Sequence, residues 1–191
     1  MVRVFLAIDL PSSLKKELSK LKTEEQAFAR LKWVEEENLH LTLFFFGNLP
    51  EKEVEKVVLV CEKRVKDFPR FELFLTEVSG FPKKGDFRVV FLGCEERSNT
   101  LERLVHELSK DFKKKGFKLE DREFHPHITL FRLKELKDRS AYQEFVQELT
   151  KRAQFLKGKS FPVREVILFE SKLSPTGPKY TPLKVFPLQG D

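Results

Sequence analysis

Apolar positions along this chain switch repeatedly between a period of two and a period near 3.6, and the switches mark out its elements. Residues 2–9 read as a strand, which Pro11-Ser12-Ser13 stops. The same three residues offer caps for a first helix, with Leu14, Leu18, Leu21, Phe28 and Leu31 on one stripe. A second strand carries His40 and Thr42 and ends at Gly47. Pro50 suits the first turn of a second helix, where Val54, Val57, Val58, Cys61 and Val65 keep a helical period until Pro69. Residues 71–78 and 87–92 are β-rich runs joined by a long basic loop, 80–86, and read as a hairpin. A third helix follows, with Asn99 and Glu102 as a capping pair and Leu101, Leu104, Val105, Leu108 and Phe112 as its buried stripe. His106 lies beside that stripe, partly exposed. Past Gly116 the chain runs through Asp121-Arg122-Glu123 into a strand beginning near His127. A fourth helix has Tyr142, Phe145, Val146 and Leu149 on one side, and residues 163–170 and 180–186 close the chain as strands around Ser174-Pro175-Thr176-Gly177-Pro178.

Within this pattern one kernel recurs: His40-Leu41-Thr42-Leu43 and His127-Ile128-Thr129-Leu130. Residues two apart on a strand share a face, so each copy presents an imidazole and a hydroxyl side by side, and its apolar neighbours point into a core. With eight Thr in 191 residues, the chance that two of the four His both have Thr two places on is roughly 1%. The histidines stand 87 residues apart, close to half the chain. A helix, an acidic linker (Glu35-Glu36-Glu37, then Asp121-Arg122-Glu123) and a His-Thr strand thus occur twice, the mark of a duplicated lobe. No linker is long or polar enough to part the lobes, so residues 1–191 are expected to pack as a single two-lobed domain.

Charge adds a preference for anionic partners: the net charge is +6, with clusters at Lys83-Lys84 and Lys113-Lys114-Lys115. No apolar run is long enough to span a membrane, and the alternating start is too short for a signal peptide, so a cytoplasmic protein with no membrane contact is expected. Cys61 on a helix face and Cys94 at a strand end read as buried thiols. A metal site has its best support in His125-Pro126-His127, but no second His pair or Asp-rich cluster accompanies it, and no metal is expected. There is no Gly-x-x-x-x-Gly-Lys-Ser/Thr loop and no Gly-x-Gly-x-x-Gly run, and no cofactor is expected. What the residues support is metal-free phosphate chemistry. A neutral imidazole activates a nucleophile, a protonated one donates to the leaving oxygen, and the Thr hydroxyls hold the non-bridging oxygens. A strained 2′,3′-cyclic phosphate fits that equipment.

At these residues the sequence resembles the RNA 2′,3′-cyclic phosphodiesterases, also called 2′-5′ RNA ligases, of the two-histidine phosphoesterase superfamily. The likeness takes in Arg3-Val4-Phe5-Leu6-Ala7-Ile8-Asp9-Leu10-Pro11, Trp33, Asn38-Leu39-His40-Leu41-Thr42-Leu43, Phe81-Pro82, His125-Pro126-His127-Ile128-Thr129-Leu130 and the tail from Glu170 to Tyr180. It implies a bilobal, duplicated α+β fold with two antiparallel sheets, flanked by helices, around a central pseudo-twofold cleft lined by both His-Thr strands. It also implies hydrolysis of an RNA 2′,3′-cyclic phosphate to a 2′-phosphomonoester and, in some members, reversible ATP-independent joining of RNA ends through a 2′-5′ bond. By motif position His40 is the general acid, His127 the general base, and Thr42 and Thr129 hold the phosphate. Arg132 is a further candidate for substrate contact, although strand parity turns it away from His127 and Thr129 unless the strand ends or bulges there. Phe46, by parity on the face of His40 and Thr42, is a candidate for stacking on a base, as are Tyr180 and Trp33; core packing is the competing role for all three. His125 is expected to support its strand. The partners implied are RNA with a 2′,3′-cyclic phosphate end or a cyclic nucleotide, with no obligate protein partner. A non-catalytic RNA-end binding protein with the same basic cleft is the competing reading, though such a binder has no need of paired histidines.

Overall fold

The computed structural model describes residues 1–24, 26–119 and 123–190. Its elements run β1 (Val2–Asp9), α1 (Ser12–Ser19), β2 (Ala29–Trp33), β3 (His40–Leu49), α2 (Glu51–Arg64), β4 (Phe71–Phe81), β5 (Val89–Glu95), α3 (Thr100–Lys114), β6 (His127–Leu136), α4 (Arg139–Arg152), β7 (Ser160–Val163), β8 (Glu165–Ser174) and β9 (Gly177–Pro187). They build two antiparallel sheets, ordered β3-β1-β8-β9 and β2-β6-β5-β4-β7. The α+β fold with a central cleft is the one expected, and β3 and β6, the two His-Thr strands, lie against each other across it.

β1 is buried on both faces, as its near-continuous apolar run requires. Val4, Leu6 and Ile8 join the main core, in which Leu41 and Leu43 of β3 meet Ile128, Leu130 and Phe131 of β6. On the other face Phe5 and Ala7 form a small cluster with Ile167 and Phe169, edged by Tyr180. Tyr142 of α4 is fully buried, and its hydroxyl donates to the Phe87 carbonyl at 2.6 Å, so the polar atom carries no desolvation penalty. Arg64 of α2 grips both carboxylate oxygens of Asp111 on α3, at 2.7 and 3.0 Å. Cys61 and Cys94 are free and buried, as expected; burial pushes the Cys94 thiol up to about 12. Among the described residues no helix is long and apolar enough to cross a membrane.

Three sequence expectations need correction, and one strand lay outside them. The first helix stops at Ser19, and Phe28 and Leu31 are not on its stripe. Ala29-Arg30-Leu31-Lys32-Trp33 alternates with a period of two and forms β2, which crosses to pair with β6 in the other sheet. The repeat is therefore broken: a strand stands between the first helix and Glu35-Glu36-Glu37, while of the second linker Asp121 and Arg122 lie outside the described residues. The third helix is not capped by Asn99 and Glu102. Asn99 sits in the left-handed region with no side-chain cap bond, and the Glu96 carboxylate accepts from the backbone N–H groups of Ser98 and Leu101 instead. Finally, β7 escapes pattern reading because it is four residues long with Pro162 inside it, which an edge strand tolerates.

Phe112 fixes the outer end of β3. Fully buried, it receives the rings of Phe44 and Phe46 edge-on, with centroids at 5.1 and 5.0 Å, and Phe117 at 6.0 Å. Phe112→Ala removes that seat and is expected to cost about 3–5 kcal/mol of stability, read from the guanidinium unfolding midpoint.

Candidate active site

Two β-bulges shape the cleft. On β3, Leu6 pairs with Phe44 but Ala7 pairs with Thr42, so Leu43 is the extra residue. On β6, Val90 pairs with Phe131 but Phe91 pairs with Thr129, so Leu130 is extra. The two bulges occupy the same place, three residues after each histidine. Each reverses the parity of its strand, and two consecutive residues then point into the core: Leu43 with Phe44, and Leu130 with Phe131.

The reversal decides which side chains face the cleft. Arg132 turns back to the side of Thr129 and lines the cavity. Phe46 does not; it packs into the core on Phe112 and Phe117, and its place is taken by Phe45, which is exposed with the Arg3 guanidinium 4.8 Å from its ring centroid. The expectation for Phe46 is thus corrected by the bulge at Leu43. Phe45 and Arg132 hold equivalent positions in the two lobes, an aromatic ring on one wall and a cation on the other. His40, Thr42, Thr129, Arg132 and Tyr180 line a single cavity of about 880 Å³, together with Phe5 and Phe45. Trp33 borders it too, although its ring packs on Phe131 and Phe145.

Both imidazoles are held the same way. His40 Nδ1 lies 2.6 Å from the Asn38 carbonyl, and His127 Nδ1 lies 2.6 Å from the His125 carbonyl. A carbonyl oxygen only accepts, so each Nδ1 carries a proton and each Nε2 is left for chemistry. Nε2 of His40 is 2.8 Å from Thr42 Oγ1, which donates to it when the ring is neutral. Each imidazole also touches two aromatic rings: Phe5 and Tyr180 at 5.0 and 5.4 Å from His40, Phe91 and Phe81 at 4.9 and 5.3 Å from His127. The Phe81–Pro82 peptide beside His127 is cis.

Burial among these rings lowers both histidines below the ordinary 6.5. The neighbouring charges differ. For His40 the largest is the Asp9 carboxylate, which favours the charged ring, with Lys15 and His127 opposing; for His127 they are His125 and Arg132, which favour the neutral ring. Tyr180 is raised by burial, against the pull of Arg132 and Arg3. The His125 ring is exposed, 3.8 Å from Glu123, so this residue serves His127 through its backbone. Among the described residues no group of three or more His, Cys, Asp or Glu is arranged to hold a metal ion.

Residues 10–174 match the family model of the 2′-5′ RNA ligase superfamily. The chain belongs to this superfamily. Over 188 residues, 98% of this chain and 99% of the relative, it is 37% identical to the RNA 2′,3′-cyclic phosphodiesterase of Methanothermobacter thermautotrophicus. It is 33% identical over 186 residues to the Thermotoga maritima protein of the same name, covering 94% of this chain and 91% of that one. Among solved structures, TT0787 of Thermus thermophilus superposes with a TM-score of 0.77 at 28% identity, and Escherichia coli LigT complexed with 3′-AMP with 0.75 at 26%; each likeness covers 99% of both chains.

In this 2′-5′ RNA ligase superfamily member, sequence reasoning missed Phe45, Arg3 and Asn38. Phe45 is brought to the cleft by a register shift that leaves no local trace in the sequence, whereas Arg3 shares a β1 face with Phe5 by simple alternation. Asn38 had a signal, as a polar residue two before the histidine. It is buried, its carbonyl receives His40, and its amide donates to the Pro178 carbonyl at 2.8 Å, tying the β8–β9 hairpin, and with it Tyr180, over the site. Asn38→Ala keeps the carbonyl but strands that of Pro178. About 1–3 kcal/mol of local stability should be lost, seen as faster amide hydrogen exchange in residues 171–180 with β1 unaffected.

Proposed function

We propose that this chain hydrolyses RNA 2′,3′-cyclic phosphates to 2′-phosphomonoesters by paired-histidine acid/base catalysis without a metal ion, and that residues 1–191 work as one two-lobed unit. The observation that carries this reading is the matched pair of imidazoles, each with Nδ1 committed to a backbone carbonyl so that Nε2 is the nitrogen left to react, and each with a Thr two residues on in its strand. The names of the relatives support the substrate class, and the charges around each ring support the division of labour.

His127 Nε2 takes a proton from water as its oxygen attacks phosphorus. The bond from phosphorus to the 3′ oxygen breaks, and His40 Nε2–H gives that oxygen its proton, leaving the phosphate on the 2′ oxygen. Thr42 and Thr129 donate to the non-bridging oxygens; Thr42 swings from His40 Nε2 to do so, which frees the nitrogen. Arg132 and Tyr180 contact the substrate from opposite lobes, and Phe45 offers its exposed ring to a base. Each proton transfer is worth about 10² to 10⁴ in rate. With a 5′ hydroxyl in place of water, the same two transfers join RNA ends through a 2′-5′ bond without ATP.

Hydrolysis of a 2′,3′-cyclic nucleotide in EDTA tests this directly. The unmodified protein should turn it over to the 2′-phosphate, as seen by phosphorus NMR. His40→Ala and His127→Ala should each lose at least about 10²-fold in kcat, while the thermal midpoint falls by no more than about 2–4 °C per kcal/mol of lost hydrogen bond. Binding without turnover would leave only an RNA-end binder; turnover that needs added divalent metal, or a 3′-phosphate product, would defeat the mechanism.

The pH profile follows from the lowered imidazoles. The free enzyme needs His127 neutral, hence a pH above its pKa, and His40 charged, hence a pH below its pKa. With both held under 6.5, the bell in kcat/KM should peak on the acid side of 6.5. Bound phosphodiester is an anion and favours both imidazolium forms, so the bell in kcat should peak at higher pH than that in kcat/KM. Steady-state kinetics across pH 4–9 check the order of the two peaks.

A further inference from the structure

Beyond the reacting phosphate, the wall formed by β2 and β6 carries a pattern that stability alone disfavours. Lys32 and Arg132 are direct cross-strand partners, and like charges so placed repel. One step along the same face the two strands do the opposite: Arg30 stands across from Glu135, with nitrogen and oxygen 3.9 Å apart. Lys134 is the extra residue of a second bulge in β6, between Arg30 and Leu31 of the partner strand, and it too lines the cavity. Among the described residues none of Lys32, Arg132 and Lys134 has a carboxylate within ion-pair distance. The two carboxylates on the cavity are Glu24 and Glu35, and Lys22 engages Glu35 at 3.5 Å.

Distance separates the outermost of these cations from the site of reaction. At about 3.3 Å per residue, less the bulges, Lys134 is roughly 15 Å along β6 from Thr129, too far for one phosphate to touch both. The volume of about 880 Å³ is near the top of the roughly 300–1,000 Å³ range that encloses a drug-sized ligand, so the cavity has room beyond a single nucleotide.

We propose that Lys32 and Lys134, with Arg132 between them and the catalytic centre, bind the phosphodiester backbone of the RNA strand that leads to the cyclic end, and so favour an RNA terminus over a free cyclic nucleotide. The inference rests on the phosphodiesterase reading and adds to it a subsite that the chemistry itself does not need. Its physics is counterion release: each phosphate neutralised on a single strand adds about 0.7 to the steepness with which log affinity falls against log salt.

The test compares 2′,3′-cyclic AMP with a single-stranded hexaribonucleotide ending in a 2′,3′-cyclic phosphate, using the double variant Lys32→Ala/Lys134→Ala. The hexamer should lose about tenfold in KM and about 1.4 of its salt slope, at 0.7 per contact, while cyclic AMP kinetics stay within about twofold. Lys32→Arg/Lys134→Arg should restore the hexamer, and Lys83→Ala/Lys84→Ala, which removes two cations from the β4–β5 loop, should leave both substrates alone. Equal loss on both substrates, no loss on the hexamer, or the same loss from the loop variant would overturn the proposal. If the unmodified protein turns over neither substrate, the phosphodiesterase reading fails separately. Fluorescence anisotropy with a labelled hexamer bearing a 2′-phosphate then decides the subsite, and unchanged binding by the double variant overturns it.

Discussion

The chemistry proposed for this molecule depends on two short hydrogen bonds from imidazole Nδ1 to a backbone carbonyl two residues earlier, at Asn38 and at His125. A free imidazole distributes its proton between two nitrogens and its ring between several rotamers. These bonds select one tautomer and hold one orientation, and they do so with main-chain atoms. The aromatic pairs around each ring then exclude water and lower the charged form, so the rings sit nearer to neutrality than they would on a surface. The arrangement is repeated with different residues in the second position, Leu39 in one lobe and Pro126 in the other, which shows that backbone geometry rather than any particular side chain is being reproduced.

Repetition of geometry does not mean repetition of charge. Asp9 stands near His40, whereas Arg132 and His125 stand near His127; Phe45 and Arg132 hold matching positions after matching bulges. On the function proposed above, an anionic substrate would meet an aromatic wall on one side and a cationic wall on the other, with unlike imidazoles on the two faces of its phosphorus. The near-symmetry supplies the frame, and departures from it supply direction.

The sequence disclosed the parts whose signal is local. The His-Thr kernels, the α2, α3 and α4 stripes and the strand character of residues 2–9 could be read because a period of two or of 3.6 is written into consecutive side chains. Phe45 and Phe46 were interchanged by that reading, since one extra residue at Leu43 exchanges their faces and the ladder partner that reveals it lies some forty residues away on β1. Arg132 was legible only as a conditional: opposite the site on a regular strand, within it on a bulged one. β2 had a clear alternation, but it was absorbed into a helical stripe because Leu21, Phe28 and Leu31 fall seven and three residues apart, which a helix also places on one side. Its pairing with a strand a hundred residues on is a tertiary fact that no window of the chain contains.

That misplaced strand gives the cleft a mechanical character. β2 belongs by chain order to the lobe of His40 but is stitched into the sheet of His127, and only residues 34–39 separate its end from His40. Within that link Val34 N–H donates to the Leu130 carbonyl and the Asn38 amide holds Pro178. Rotating the lobes apart would have to peel β2 from β6 or tear this link. The jaws are clasped: one crossing of the chain ties the two walls of the cleft to each other.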